Sequence, residues 1–386
     1  MATNPNTGPE IAFAEPEPEL TGPLAGVRVL EVGGIGPNPF AGMVLADMGA
    51  DVIRLDRQAG TGFGQAGRLD PSLRGRQTLE LDLKSDHGRQ LALALADRAD
   101  ALIEGFRPGV MERLGLGPEQ LLERNPRLVY GRITGFGQHG PMAAIPGHDL
   151  NYLALSGVLG ASRRAGERPM FAINTVGDYG GGAMMLAFGV VCALLEARSS
   201  GRGQVIDAAM VDGSALLLTM VHALRAAGGW SGPPGTNVLD SGAHFYEVYA
   251  TADGGHVAVG AIEPQFYARL LELLELDADE LPQWQRERWT EFKERFAAVF
   301  ATRTTREWQQ LLEHEEACAN IVQGTFDAAG HPHMAARGTF VELDGIRQPA
   351  AAPRFSRTPA RARSAQDDPG AALRRWGVEP RSASGH

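Results

Sequence analysis

The 386-residue chain is predicted to be a two-part α/β protein, with a doubly wound parallel-sheet domain over 23–230 and a smaller α+β domain over 242–338. Three observations lead there. From Gly26, short β-branched runs alternate with stretches of helical apolar spacing, the rhythm of a parallel sheet covered on both faces. Near Trp230 that rhythm stops at a loop, 231–241, rich in Gly, Pro and Asn. Beyond the loop, two strands of hairpin character give way to segments that are mostly helical.

The large domain opens with the strand Val27–Val32, a glycine- and proline-rich loop Gly33–Pro39, a helix over Phe40–Met48 and a second strand Asp51–Leu55. Thr78–Leu83 is the third strand, and Ser85 caps a helix that runs to about Ala99. Ala101–Glu104 follows as a strand, then a short helical pair over Val110–Glu123 and the strand Arg127–Ile133. A long helix, Gly181–Arg198, precedes the strand Gln204–Ala208 and a helix over Val211–Ala227. In the small domain, strands Phe245–Ala250 and His256–Val259 lead to helices over Pro264–Leu276, Glu291–Phe300 and Glu307–Glu313. Thr304 and Glu307 have the spacing of a capping box. Residues 339–360 are expected to return to the large domain, and the ends, 1–22 and 361–386, to be mobile tails.

Composition narrows the function. With 44% hydrophobic and 21% charged residues the chain is globular. A net charge of -10 excludes nucleic acid as a general partner, since phosphate backbones need a basic face. A phosphate-bearing ligand would need local arginines and lysines. Cys192 and Cys318 have no nearby His or Cys, so neither a zinc site nor a disulfide framework is expected, and both read as buried small hydrophobes. The first residues carry four glutamates and lack the basic and apolar segments of a signal peptide. The longest apolar run, Ala183–Leu195, has 13 residues, short of the roughly 20 that span a bilayer. A soluble, cytoplasmic protein is expected.

Several segments could carry chemistry. The loop Gly33–Pro39 invites a dinucleotide reading but puts Pro39 where the third glycine of G-x-G-x-x-G belongs. Basic residues recur near strand ends, at Arg57, Arg74, Arg76, Lys84, Arg107 and Arg113; each could be a solvated charge, or together they could hold an anionic ligand. Gly177-Asp178-Tyr179-Gly180-Gly181-Gly182 places glycines in a helix start, where each costs ~1 kcal/mol. They serve either close packing or backbone N–H donors for a developing oxyanion near Gly180–Gly182. Asp178 is a helix cap, or an acid–base group beside the space the glycines leave. His148, in Pro146-Gly147-His148-Asp149, is a cap, a surface group or a base. Glu263 precedes Pro264 as a helix cap, or orients a histidine. Spacing alone does not join these three.

Taken in order, Pro23–Val29, Ala46–Val52, Leu81–Asp86, Ile103–Val110, Thr134–Gly137, Gly147-His148-Asp149, Gly177–Gly182 and Gly260–Tyr267 resemble the family III CoA-transferases, most closely their 2-methylacyl-CoA racemase branch. The resemblance covers about residues 22–357 and implies an interlocked homodimer. It implies that Asp178 is catalytic: in transferases the matching aspartate accepts the acyl group as a mixed anhydride. Transferases usually carry tyrosine at the position of His148, and racemases histidine. Glu263 would hydrogen-bond His148 from the other subunit, with Ile35, Asn174, Gly180, Gly181 and Tyr246 in the same pocket. CoA would be held by Arg57, Leu83, Lys84, Arg107, Arg113, Gly147, Asp149 and Tyr152. Two departures stand out. No proline follows Cys318, and Gln77 replaces a residue that is often basic, which is expected to loosen the grip on the nucleotide end.

The implied activity is interconversion of (2R)- and (2S)-2-methylacyl-CoA thioesters by two bases acting through an enolate. CoA is part of the substrate, and no metal or other cofactor, nucleic acid or membrane partner is expected. Alternatives are CoA transfer with Asp178 as nucleophile and non-catalytic acyl-CoA binding.

Overall fold

The computed structural model describes residues 20–57 and 70–378; the expected tails fall outside these over 1–19 and 379–386. Six parallel strands form the central sheet: β1 (Arg28–Val32), β2 (Asp51–Asp56), β3 (Gln77–Glu80), β4 (Ala101–Glu104), β5 (Val129–Thr134) and β6 (Val205–Ala209). Their order is β3-β2-β1-β4-β5-β6. The winding reverses between β1 and β4, so the crevice beyond their carboxyl ends is the place for a ligand. Val32, the last residue of β1, lies in register with Leu55 and Glu104.

Helices cover both faces because the strands alternate two apolar sets. Leu30, Val32, Ile53 and Leu55 share one core with Leu93 and Leu95 of α2 (Asp86–Ala96), which α3 (Val110–Arg113) and α4 (Pro118–Arg124) extend through Met111 and Leu121. Val29, Val52 and Ile103 face Ala41 and Leu45 of α1 (Pro37–Asp47) on the other side. The first helix starts three residues earlier than its apolar spacing suggests, because proline fits a first turn that needs no N–H.

After β5 come α5 (Asp149–Ser156), α6 (Val158–Ala161), a π-helical segment Thr175–Ala183 and α7 (Met184–Ser200). The helix expected over 211–227 is two, α8 (Met210–Leu217) and α9 (Thr219–Ala226). Buried Leu186, Ala187 and Val190 fix one side of α7 in the large-domain core, while Phe188 and Leu195 on its other side are each 67% exposed. Cys192 lies on that open side and is exposed, as is Cys318, so neither is the buried hydrophobe expected from its apolar neighbours.

The small domain packs the antiparallel sheet β7 (Tyr246–Ala250), β8 (His256–Gly260) and β9 (Ala319–Ile321) against α10 (Pro264–Leu273), α11 (Trp289–Phe300) and α12 (Thr305–Leu312). The capping box is present: the Thr304 N–H donates to Glu307 at 2.8 Å. Its core is aromatic and encloses one histidine. His244 is fully buried among Phe245, Tyr267, Phe292 and Phe296, with Nε2 2.7 Å from the Tyr267 hydroxyl. Burial, helped by the Lys293 charge, pushes its pKa from 6.5 down to about 3. The unfolded chain therefore binds a proton below about pH 6.5 that the folded domain refuses. Stability is full above that pH and falls toward pH 3, by up to roughly 1.4 kcal/mol per pH unit. Urea unfolding of the wild type is expected to show this acid slope and His244→Gln to flatten it; equal slopes would refute the assignment.

The chain then crosses α13 (Pro332–Ala336) and the hairpin β10 (Phe340–Leu343) and β11 (Ile346–Pro349) back to the large domain. Arg74 ties that return down, donating to Gln348 at 2.8 Å and to the Pro349 carbonyl at 2.7 Å. Residues 361–378 are not a mobile tail. The helix α14 (Pro369–Arg375) buries Leu373 and Trp376 in the sheet's core, and the Trp376 indole and Arg375 guanidinium both donate to Asp51. One tryptophan in an Arg- and Ser-rich stretch was the anchor.

Candidate active site

The site grows from the β1–α1 loop. Gly36 takes φ 66, and a Cβ there would stand 3.5 Å from Asp178 Oδ2, so the loop lies against that carboxylate. Asn38 closes the turn by donating to the Gly33 carbonyl at 2.7 Å. Below it, Arg54 donates to the Gly34 carbonyl at 3.0 Å. Ile35 is 46% exposed at the crevice.

Asp178 sits in the π-helical segment, with Tyr179 stacked on Phe40 at 4.2 Å. The ladder begins with Tyr179 N–H to the Asn174 carbonyl and ends with Met184 N–H to the Tyr179 carbonyl. The N–H groups of Gly180–Gly182 lie inside it and bond five residues back. They are therefore not the oxyanion donors expected. Packing explains two of these glycines: a Cβ on Gly181 would meet Ser214 N at 2.6 Å, and one on Gly182 would meet the Met210 side chain at the same distance.

His148 is the N-cap of α5, its N–H donating to Asn151 Oδ1 at 3.0 Å while its side chain is exposed at the crevice. The first-turn N–H groups of Asp149 and Leu150 have no intrahelical acceptor. The carboxylate of Asp149 faces inward, 7% exposed, and accepts the Asp178 N–H at 2.7 Å. Tyr152 also turns inward and donates to the Gly147 carbonyl. Both side chains are thus turned into the protein.

Burial, then the Asp149 charge, raises the Asp178 pKa to about 6; a hydrogen bond from Asn174 and the opposite charge of His148 pull the other way. The structure thus brings Asp178, His148 and Asn174 together, with Ile35 next to the Gly36 turn that meets Asp178, whereas a Cβ on Gly180 would face the Thr175 carbonyl and Leu217. Glu263 and Tyr246 are elsewhere. Tyr246 pairs with Gly260 on the small-domain sheet, Gly260 donates to the Cys318 carbonyl at 2.8 Å, and the Glu263 charge acts on Cys318. Among the described residues no contact joins Glu263 to His148.

The strand-end cations divide cleanly. Arg57, Lys84, Arg107 and Arg113 are exposed beyond the carboxyl ends of β2, β3 and β4, and none has an acidic partner among the described residues. Leu83 is half-buried beside Lys84. Arg74 and Arg76 leave the set: Arg74 pairs with Asp47 at 2.5 Å, and Arg76 is fully buried against Glu31. Gln77 is likewise 2% exposed within β3, its amide donating to the Thr78 carbonyl at 3.0 Å.

Sequence reasoning missed the inward role of Asp149, the Phe40 stack and Arg54. A signal existed for the last. Glu31, Arg54, Glu104 and Arg132 are charges inside otherwise apolar strands, and they face each other in register as Glu31–Arg54 and Glu104–Arg132. The second pair leaves Glu104 with a pKa raised to about 7 by burial, its carboxylate accepting the Phe106 N–H at 2.7 Å.

The chain is similar to α-methylacyl-CoA racemase of Mus musculus, at 48% identity over 90% of each chain, and to that of Homo sapiens, at 46% over 87% of each. Among solved structures it resembles Rv3272 of Mycobacterium tuberculosis, with TM-score 0.75 and 28% identity, covering 89% of this chain and 95% of that one. The profile of CoA-transferase family III matches residues 24–371. A match of that family model over most of the chain's length shows that the chain belongs to CoA-transferase family III.

Proposed function

We propose that the chain is an isomerase of the α-methylacyl-CoA racemase type, interconverting (2R)- and (2S)-2-methylacyl-CoA thioesters. The observation that carries this is Asp178 with a pKa near 6 across one crevice from His148. A carboxyl near 6 exchanges a proton readily at neutral pH, as a group that must act as base in one direction and acid in the other requires. One base takes the C2 proton, the C–H electron pair moves onto the thioester oxygen as an enolate, and the other base returns a proton to the opposite face. The free N–H groups at the start of α5, beside His148, are the donors placed to hold that enolate oxygen.

CoA enters as part of the substrate, with Arg57, Lys84, Arg107 and Arg113 as unpaired cations for its phosphates and Leu83 as an apolar contact. Incubation in deuterated water tests the reading. Deuterium is expected at C2 of a single 2-methylacyl-CoA without a co-substrate. Acyl transfer to a free acid with no exchange would make the chain a CoA-transferase, with Asp178 as nucleophile. Binding without exchange or transfer would make it a non-catalytic acyl-CoA-binding protein.

The working form is a homodimer. Helix Thr175–Ser200 is long and apolar enough to cross a membrane, yet it is anchored in the large-domain core along one side. Its other side exposes Met184, Phe188, Val191 and Leu195, and α8 and α9 add Leu216, Leu217 and Met220. An apolar surface of this extent marks an association face. A second copy would cover it and would supply Glu263 and Tyr246 to the crevice that lacks them. Phe188→Asp is expected to shift the sedimentation profile to monomer and cut exchange by at least about tenfold, an interface loss on the order of 2 kcal/mol. An unchanged dimer with full activity would refute this face.

A further inference from the structure

We infer that Asp149 is a positioning residue for the proposed reaction, its buried carboxylate clamping the turn that carries Asp178 and supplying a fixed negative charge behind it. The inference rests on the two-base reading, but its geometry stands by itself. Oδ1 of Asp149 accepts the Asp178 N–H at 2.7 Å. A Cβ on Gly177, the preceding residue, would come within 2.5 Å of the same oxygen, so the turn approaches the carboxylate as closely as a bare backbone can. Oδ2 is buried with no hydrogen-bond partner.

That last feature is costly. Leaving a buried carboxylate oxygen unpaired opposes folding, and an acid on the first turn of a helix gains its dipole interaction at the surface without burial. The burial therefore needs a reason beyond capping α5. The reason the site offers is electrostatic: after burial itself, Asp149 is the largest influence holding the neighbouring carboxyl in its neutral form. A like charge pressed against a carboxyl favours that carboxyl's neutral form, and a carboxyl so raised can act as acid as well as base.

The other groups around Asp178 do not replace this charge. From α5, His148 acts with the opposite sign and Tyr152 is neutral, its pKa raised to about 12. At the N-cap of the π-helical segment Asn174 donates a hydrogen bond, and within the segment Tyr179 is stacked on Phe40. The Arg107 charge reaches Tyr152. On α8 the charged residue is Asp212, and on β6 Asp207 accepts the Gln138 N–H at 2.8 Å. From the β1–α1 loop and α1 the approach is by Gly36 and Phe40, which carry no charge.

The test uses the full-length protein with ¹³C-labelled aspartate carboxyls, the Asp178 signal being assigned by its loss in Asp178→Asn. Asp149→Asn keeps an oxygen to accept the Asp178 N–H and removes the charge, an amide NH2 replacing the unpaired Oδ2. Its expected effect is a fall of the Asp178 titration midpoint by about one unit from near 6, with the acid limb of the C2-exchange profile moving by the same amount. The change should fall in kcat, with KM for the CoA ester held. Asp149→Ala, which also removes the clamp, is expected to lower kcat further. An unmoved midpoint in Asp149→Asn overturns the inference. So does a wild-type midpoint in the ordinary carboxylate range near 4, a measurement that stands even if the Asp149 variants do not fold. Absence of C2 exchange in the wild type would sink the racemase reading alone, while the titrations would still decide the role of Asp149.

Discussion

Asp178→Asn and His148→Ala are each expected to lower racemisation of a 2-methylacyl-CoA about 10³-fold, the usual weight of a positioned acid–base group. Each variant should also retain deuterium exchange at C2 of one enantiomer, and the two should retain opposite ones. With two bases on opposite faces of a planar enolate, each touches the proton of only one enantiomer. Removing Asp178 leaves His148 to take and return the proton on its own face, so that enantiomer exchanges without inverting. The geometry makes the variants clean probes: Asp178 is only half-buried and the His148 side chain is exposed, so melting temperatures should stay close to wild type. Exchange lost equally for both enantiomers would contradict a base on each face. A CoA-transferase would give a different pattern, with Asp178→Asn inactive, His148→Ala nearly intact and no enantiomer preference.

Much of this site was legible in the sequence, for a physical reason. Local rules place Asp178 in a glycine-rich helix start and His148 at a cap, and the structure finds both positions as read. What local rules cannot see is how backbone donors are used up. Gly180–Gly182 read as free N–H groups only if the helix begins there. The π-helical ladder starts at Asn174 and consumes them, and the proposed donors are therefore at the start of α5. Long-range pairing was equally hidden: Arg74 and Arg76 look like Arg57 in sequence, yet their partners Asp47 and Glu31 lie 27 and 45 residues away. Helix α7 misled in the opposite direction. Its apolar residues run all round because one side faces the core and the other faces outward, so apolarity alone wrongly implied a buried Cys192.

Glu31→Ala should destabilise the large domain by about 3–5 kcal/mol, the cost of breaking a buried ion pair from one side. Glu31 has no solvent exposure and receives both Arg54 and Arg76. Arg54 keeps Asp56, at 2.6 Å, as a second acid, but Arg76 Nε and Nη2 already lack partners, so the variant strands a guanidinium in the core. Gly42 offers an independent measure of the same pair. A Cβ there would overlap Glu31 Oε2 and Arg76 Nη1. Glycine to alanine inside a helix normally gains about 1 kcal/mol, so a loss in Gly42→Ala would report the ion pair with its sign reversed. Urea unfolding reads both variants, and a Gly42→Ala protein as stable as wild type would refute the packing. Replacing Glu31, Arg54 and Arg76 together by apolar residues of similar volume can restore stability, since buried ion networks often exchange for hydrophobic packing without loss. Activity should not return with it. Arg54 also holds the Gly34 carbonyl, and the same loop runs on to Gly36 against Asp178. A stable triple variant is therefore expected to unfold like wild type yet exchange C2 protons more slowly, which would place the network's role in fixing the loop beside the catalytic carboxyl. Full exchange in that variant would reduce the network to a replaceable piece of core.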